Sequence, residues 1–277
     1  MNVELRQRYM QAMGVPVWLP KQQYVVRPAP TKTEPVMTLA NAMNPSVKDS
    51  LKDAIAVLTA TELPKSAVQP IAVTAVTPAL ANVSTPRLAQ ALDWQALQAA
   101  VKTCERCALS KTRTQTVFGV GKQTADLLVI GEAPGADEDR QGEPFVGKAG
   151  QLLNNMLLSI GLQRDSIYIA NILKCRPPNN RDPKPDEAAQ CRAYLEQQIA
   201  LVQPKLILVV GRIAAQNLLQ TDLPLGRLRN QLHYMPSTQI PVYVTYHPAY
   251  LLRQPADKRK AWQDLLKTQE LLNHYVG

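Results

Sequence analysis

Leu127-Leu128-Val129-Ile130-Gly131-Glu132-Ala133-Pro134-Gly135 decides the fold. Four consecutive apolar residues are too few for a helix, and their bulk suits a strand buried on both faces. The glycines and proline behind them end the strand in a tight turn. Similar runs recur at Ile167-Tyr168-Ile169-Ala170, Leu206-Ile207-Leu208-Val209-Val210 and Val242-Tyr243-Val244-Thr245. Residues 151–160, 186–202, 213–219 and 256–275 carry apolar side chains three and four apart, the period of helices. Strands alternating with helices imply an α/β fold, with three α/β/α layers around a central, mainly parallel four-stranded sheet. Ligands of such sheets sit beyond the carboxyl ends of the strands. Topology therefore brings the Gly131 to Gly135 turn, Asn171, Gly211-Arg212 and His247-Pro248 to one edge.

Upstream of this region the composition changes. Asp93 has the side-chain oxygen to cap a helix over residues 94–102, and the folded domain is expected over 88–277. Up to Arg87 the chain holds ten of its 22 prolines but a single glycine, Gly14. From Pro28 to Pro86 it is mostly Ala, Val, Thr, Pro, Asn and Lys. Ordering such a stretch costs roughly 1 to 2 kcal/mol per residue with little buried area in return, so residues 21–87 read as a disordered linker stiffened by proline. Residues 1–20 differ: Tyr9, Met10, Met13, Val15 and Trp18 stand beside Arg6 and Arg8, the composition of a peptide that folds into a partner's groove. Packing against its own domain is the alternative.

The 277 residues carry 31 Lys+Arg against 22 Asp+Glu, and the formal charge of +9 suits a polyanion without demanding one. No apolar run approaches the roughly 20 residues of a transmembrane helix, and Met1 to Arg8 has no signal-peptide core. A soluble, cytoplasmic protein is expected, with no membrane contact.

Cys104-Glu105-Arg106-Cys107 forms a C-x-x-C, and Cys175 and Cys191 complete a set of four with no spare thiol. Disulfides are disfavoured in a reducing compartment, so a four-thiolate metal centre is the reading. Zinc and an iron–sulfur cluster both accept four thiolates, and this spacing matches neither the compact zinc patterns nor the tight ferredoxin run. An accidental C-x-x-C with two buried cysteines is the competing explanation. Four thiolates leave no open position, so the centre would be structural, fixing loops whose cations meet phosphates. Lys102, Arg106, Lys111, Arg113, Lys174, Arg176, Arg181 and Arg192 lie near the cysteines in sequence.

Five segments together resemble the family 4 uracil-DNA glycosylases. They are Cys104 to Cys107, Gly131-Glu132-Ala133-Pro134-Gly135-Ala136-Asp137-Glu138, Gly142-Glu143-Pro144-Phe145-Val146-Gly147, Asn171-Ile172-Leu173-Lys174-Cys175-Arg176-Pro177-Pro178 and His247-Pro248-Ala249. Several motifs agreeing in order and spacing are more specific than any one alone. The resemblance covers roughly residues 88–275. It implies a [4Fe-4S] cluster on Cys104, Cys107, Cys175 and Cys191, with zinc as the alternative, and hydrolysis of the bond between uracil and deoxyribose in DNA. Separately, Tyr9 to Trp18 resembles the amino-terminal peptide by which the psi subunit of the bacterial clamp loader binds its chi partner. That resemblance implies a replisome or clamp-loader partner for residues 1–20 and a place at the bacterial nucleoid.

The resemblance assigns roles that residue chemistry supports. A glycosylase must flip its base into a pocket that reads the Watson–Crick edge. The Asn171 side chain can accept from uracil N3–H and donate to O4, whereas cytosine offers the reverse pattern. Capping a strand end is its simpler role. Phe145, one of two phenylalanines, can stack on uracil or fill the core. His247 is held out of helical geometry by Pro248 and can donate to uracil O2 as charge develops there. Ala133 stands in the substrate site where related family 1 enzymes carry a water-activating Asp. Glu132 or Glu138 could instead orient water or stabilise a cationic sugar, and Glu138 could also exclude the thymine methyl group. Asp137, Glu138 and Asp139 as a solvated acidic turn is the plainer reading. Leu251, Leu252 and Arg253 resemble a wedge that fills the space of the flipped nucleotide, or begin an ordinary helix. Lys148, Arg176 and Arg212 are the candidate phosphate contacts.

The expected activity is that of a monofunctional, monomeric enzyme, since no matched motif places a nucleophilic lysine at the sugar. A noncatalytic iron–sulfur DNA-binding or scaffold protein is the alternative. A nucleotide-binding or electron-transfer protein is a third possibility, weakened because the Gly131 turn lacks the G-x-x-x-x-G-K-[ST] pattern.

Overall fold

The structure, a computed structural model, describes Gln11 and residues 92–276. Apart from Gln11, the expectations for residues 1–87 lie outside the described residues. Helix α1 (Trp94–Lys102) opens the described domain, capped by Asp93, whose side chain accepts from the Ala96 N–H. Strands β1 (Val120–Gly121) and β2 (Leu127–Gly131) follow, then helices α2 (Ala136–Gln141) and α3 (Lys148–Ser159). Next come β3 (Tyr168–Asn171), α4 (Pro185–Val202), β4 (Leu206–Val210) and α5 (Arg212–Leu219). The chain closes with α6 (Leu225–Leu228), β5 (His233–Tyr234), β6 (Pro241–Thr245), α7 (Pro248–Arg253) and α8 (Lys258–Val276).

The sheet has six strands in the order β1-β3-β2-β4-β6-β5, not four. Its centre is the expected parallel set, with Val129 opposite Ile169 on one side and Leu208 on the other, and Val209 opposite Val244. The additions are antiparallel edge strands of two residues each, too short to show any period in sequence. Alternate residues of each central strand feed opposite layers. Leu128, Ile130, Ile207, Val209 and Val244 meet Leu195 and Ile199 of α4 and Ala214 of α5. Leu127, Val129, Ile169, Leu208 and Val210 meet Leu153 and Met156 of α3 and Leu265 of α8. Fully burying each such aliphatic side chain contributes roughly 1.5 to 3 kcal/mol, so these two layers supply most of the cohesion.

Two helices stand where turns or a single helix start were expected. The Asp137 to Asp139 segment lies inside α2, because Glu138 at its third position returns an oxygen to the Gly135 N–H. Asp139 is buried and accepts from the Thr114 N–H at 2.9 Å, so the segment is no solvated acidic turn. The last helix starts at Lys258, with α7 and a short 3-10 turn at Pro255–Asp257 ahead of it.

One buried ion pair locks the far end of the sheet. The Arg229 Nε and Nη2 donate to the two carboxylate oxygens of Asp264 at 2.8 and 2.9 Å, and the Thr245 hydroxyl donates to the same carboxylate at 2.7 Å. The guanidinium lies over the Tyr246 ring at 4.2 Å and reaches the Lys260 carbonyl. The pair thus joins α6, the end of β6 and α8 immediately before His247. Replacing Arg229 by Met leaves a buried carboxylate with no counter-charge and only the Thr245 hydroxyl as donor. We expect a loss of about 3 to 5 kcal/mol in urea denaturation, much of it recovered when Asp264→Leu is added.

Candidate active site

Where β2 ends, Gly131 leaves room that other residues share. A Cβ there would lie 2.4 Å from Asn171 Oδ1 and 2.6 Å from the Phe145 ring. Asn171 pairs with Gly131 in register at the end of β3, so these neighbouring parallel strand ends bring the amide beside the aromatic. Asn171 is buried, and its Oδ1 has no hydrogen-bond partner among the described residues. A buried acceptor left unpaired costs roughly 1 to 3 kcal/mol, a cost that a donating ligand would remove.

Phe145 reaches this position with φ 56, a left-handed backbone that bulky residues rarely adopt. Its loop is held by Glu138, whose Oε1 accepts from the Val146 and Gly147 N–H groups at 2.9 and 3.1 Å while Oε2 accepts from Gly135. Gly150 lets the loop lie flat on α3, since a Cβ there would be 1.8 Å from the Phe145 carbonyl oxygen.

His247 enters from the end of β6. Its ring centroid is 5.7 Å from that of Phe145, and Gly211, with φ 100, leaves 3.0 Å to His247 Cβ where its own Cβ would be. His247 Nδ1 accepts from the Ala249 N–H at 3.1 Å and caps α7. An Nδ1 that accepts carries no proton, so in the neutral ring the proton sits on Nε2, which is a donor. Burial, helped by Arg253 and opposed by Glu138, lowers its pKa from 6.5 to about 4. The imidazole is therefore neutral near pH 7.

The carboxylates separate. Both oxygens of Glu138 accept from backbone N–H groups, so it holds the Phe145 loop in place. Glu132 is half-buried, and its electrostatic neighbours are Asp182 and Arg212. Burial first, then Asp182, raises its pKa from 4.5 to about 7, with Arg212 opposing. Ala133 is half-buried and packs against the sheet.

The candidate DNA contacts divide by exposure. Lys148 begins α3 and Arg253 ends α7, both exposed. Leu251 is 1% exposed in the second core layer, so it is no wedge; Leu252 beside it is 43% exposed. Helical geometry points neighbours in different directions, which a motif does not reveal. Arg176 donates to Asn180, and Arg212 lies 3.3 Å from Asp182. Several cations near the cysteines have partners within the protein: Lys174 is buried on the Asn171 carbonyl and Gln198, and Arg181 pairs with Glu187. Arg192 donates to the Asn217 carbonyl.

The four cysteines are unpaired by disulfides, Cys175 and Cys191 buried and Cys104 and Cys107 half-buried. They lie within electrostatic reach of one another. Cys107 and Cys175 are raised mainly by burial, with Cys104 adding to both, and burial first raises Cys191 to about 12, with Cys175 and Cys107 adding. Such mutually opposed thiolates suit a shared cationic centre. Among the described residues, no group of three or more His, Cys, Asp or Glu side chains is arranged to hold a metal ion. Arg113, in none of the quoted motifs, donates to Cys175 Sγ at 3.0 Å and to the Cys104 carbonyl at 2.8 Å.

A family model described as the uracil DNA glycosylase superfamily matches residues 118–266, more than half of the chain. The chain is 44% identical to the type-4 uracil-DNA glycosylase of Archaeoglobus fulgidus over 177 residues, 62% of this chain and 89% of that protein. It is 39% identical to the type-4 enzyme of Pyrobaculum aerophilum over 180 residues, 63% of this chain and 92% of that one. Against the type-4 enzyme of Sulfurisphaera tokodaii the identity is 39% over 178 residues, 62% and 81% of the two chains. The chain belongs to the uracil-DNA glycosylase superfamily and, within it, to the type-4 family.

The histidine geometry has a measurable consequence. Its folded pKa is below the unfolded value, so stability is lost as pH falls from about 6.5 to about 4, by up to roughly 3 kcal/mol. Nitrogen NMR of His247 should show an Nε2–H tautomer with no titration near 6.5, and the stability contribution should disappear in His247→Gln.

Proposed function

We propose that the chain is a monofunctional uracil-DNA glycosylase that flips uracil from DNA and hydrolyses its N-glycosidic bond, leaving an abasic site for base excision repair. The observation that carries this reading is that Phe145 meets the unpaired buried Asn171 Oδ1 at Gly131 and lies beside the neutral His247 ring, 5.7 Å between centroids. Flipped uracil stacks on Phe145. Asn171 accepts from N3–H and donates to O4, so cytosine leaves both groups unpaired, at roughly 1 to 3 kcal/mol each. His247 Nε2–H donates to O2 as the electron pair of the breaking bond moves into the ring. A donor aimed at that charge contributes roughly 2.7 to 4 kcal/mol. A neutral histidine stabilises the leaving anion without giving up its proton. Water supplies the hydroxyl at the sugar, and the proton it sheds goes to the base or to solvent. Ala133 has no carboxylate to offer. Glu132, raised to about 7 by burial, or Glu138 holds the water or balances charge on the sugar.

Lys148, Arg176, Arg212 and Arg253 are assigned to phosphates, and exposed Leu252 takes the wedge role in place of Leu251. The four cysteines, none in a disulfide and raised in pKa partly by one another, support a four-thiolate centre, which the type-4 resemblance makes a [4Fe-4S] cluster with zinc as the alternative. Bound there, the cluster would supply structural cross-linking, with Arg113 donating to one of its ligands. No helix among the described residues is long and apolar enough to cross a membrane. Tyr9 to Trp18 supports a tether to a clamp-loader protein, which would hold the monomeric enzyme in the cytoplasm at the nucleoid.

Purified protein should release uracil from a uracil-containing oligonucleotide and nothing from a thymine-containing strand. Asn171→Ala should lower release by about 100-fold or more. Absence of release by folded, cluster-loaded protein would favour the noncatalytic scaffold. Deleting residues 1–87 should leave release within about twofold, while a peptide of residues 1–20 should bind purified chi subunit in fluorescence anisotropy. Trp18→Ala should weaken that binding by about 10-fold or more.

A further inference from the structure

Arg164 lies outside every quoted motif, between α3 and β3, yet its guanidinium grips the loop that carries Phe145. Nη2 donates to the Pro144 carbonyl, and Nη1 donates to the Phe145 carbonyl at 3.3 Å and reaches Asn154 Oδ1 at 3.4 Å. The loop is therefore held from both polarities. Glu138 takes the N–H groups that follow Phe145, and Arg164 takes the carbonyls at and before it. Glu138 and Glu143 lie within its electrostatic reach, while burial lowers its pKa.

Phe145 requires such a clamp. A left-handed backbone at a residue with a bulky side chain is unfavourable and persists only where its surroundings impose it. The carbonyl that Arg164 binds is the same one that Gly150 accommodates, so a small rotation at Phe145 would release both contacts. We infer that Arg164 is a positioning residue: by fixing the Pro144 and Phe145 carbonyls, it holds the Phe145 ring in the plane against which uracil stacks. Arg is suited to this because its planar fork of fixed donors matches two successive carbonyls, whereas the ammonium of Lys is a compact point charge on a flexible stem.

This inference rests on the stacking role of Phe145, and a double-mutant cycle separates the two. Single-turnover uracil release and inhibition by free uracil are measured for the parent, Arg164→Ala, Arg164→Lys, Phe145→Ala and the Arg164→Ala/Phe145→Ala pair. Arg164→Ala should slow release by about 10- to 100-fold and weaken uracil inhibition in parallel, with affinity for uracil-free duplex unchanged. Arg164→Lys should recover part of the loss. In the Phe145→Ala background the same Arg164 change should cost less than about threefold. An equal loss in both backgrounds would overturn the positioning role, as would unchanged uracil inhibition in Arg164→Ala. Parent-like release by Phe145→Ala would instead overturn the stacking reading. Circular dichroism melting controls for folding. If Arg164→Ala does not fold, the cycle is run on Arg164→Lys, where a loss that persists undiminished without Phe145 overturns the inference.

Discussion

Gly131 ends a fully buried strand in the space that two side chains from other elements share. A Cβ there would meet both the Asn171 amide oxygen and the Phe145 ring. The parallel register places Asn171 beside this position without any contribution from loops, because Gly131 and Asn171 are paired residues of neighbouring strands. Phe145 must come from a loop, which has no such register to fix it. Its left-handed backbone, the Glu138 acceptor and the Gly150 contact replace the missing constraint. The site is a rigid sheet edge to which one strained loop has been fastened.

That division explains what could be read from sequence. The central strands were legible because complete burial demands apolar runs, and their parallel order followed from the intervening helical periods. Asn171, Phe145 and His247 were legible through their motifs, and the order of strands and helices brought their segments to one edge. The two edge strands were not, since two residues carry no period. Leu251 and Leu252 are adjacent and chemically identical, yet one fills the core and the other faces solvent. Only the rotation of α7 distinguishes them. Glu138 read as a catalytic candidate, but its structural part in holding the Phe145 loop was not legible, because only its three N–H partners reveal it.

Cations were the least legible class. Many of the Lys and Arg residues near the cysteines suggest a phosphate-binding surface, but hydrogen bonding assigns several of them inward. Lys174 is buried against the Asn171 carbonyl, and Arg113 is directed to a cysteine sulfur. Lys174 also links Asn171 to the cysteine region, since Cys175 follows it directly and Gln198 of α4 accepts from its amine at 2.6 Å. The net charge of the chain therefore overstates what remains for a polyanion, and exposed Lys148 and Arg253 matter more than the total.

His247 and Glu132 show how one sheet edge can make two ionisable groups behave oppositely to their solution chemistry. Burial disfavours charge on both, lowering the histidine and raising the carboxyl. Near neutral pH the histidine is then a fixed neutral donor, while the glutamate exchanges protons readily. Departure of uracil as an anion calls for the first property, because a charged imidazolium would bind the ground state and pay a desolvation cost before the bond begins to break. Attack by water on a sugar with cationic character calls for the second. The charge of Arg253, exposed at the end of α7, adds to the burial that keeps His247 neutral.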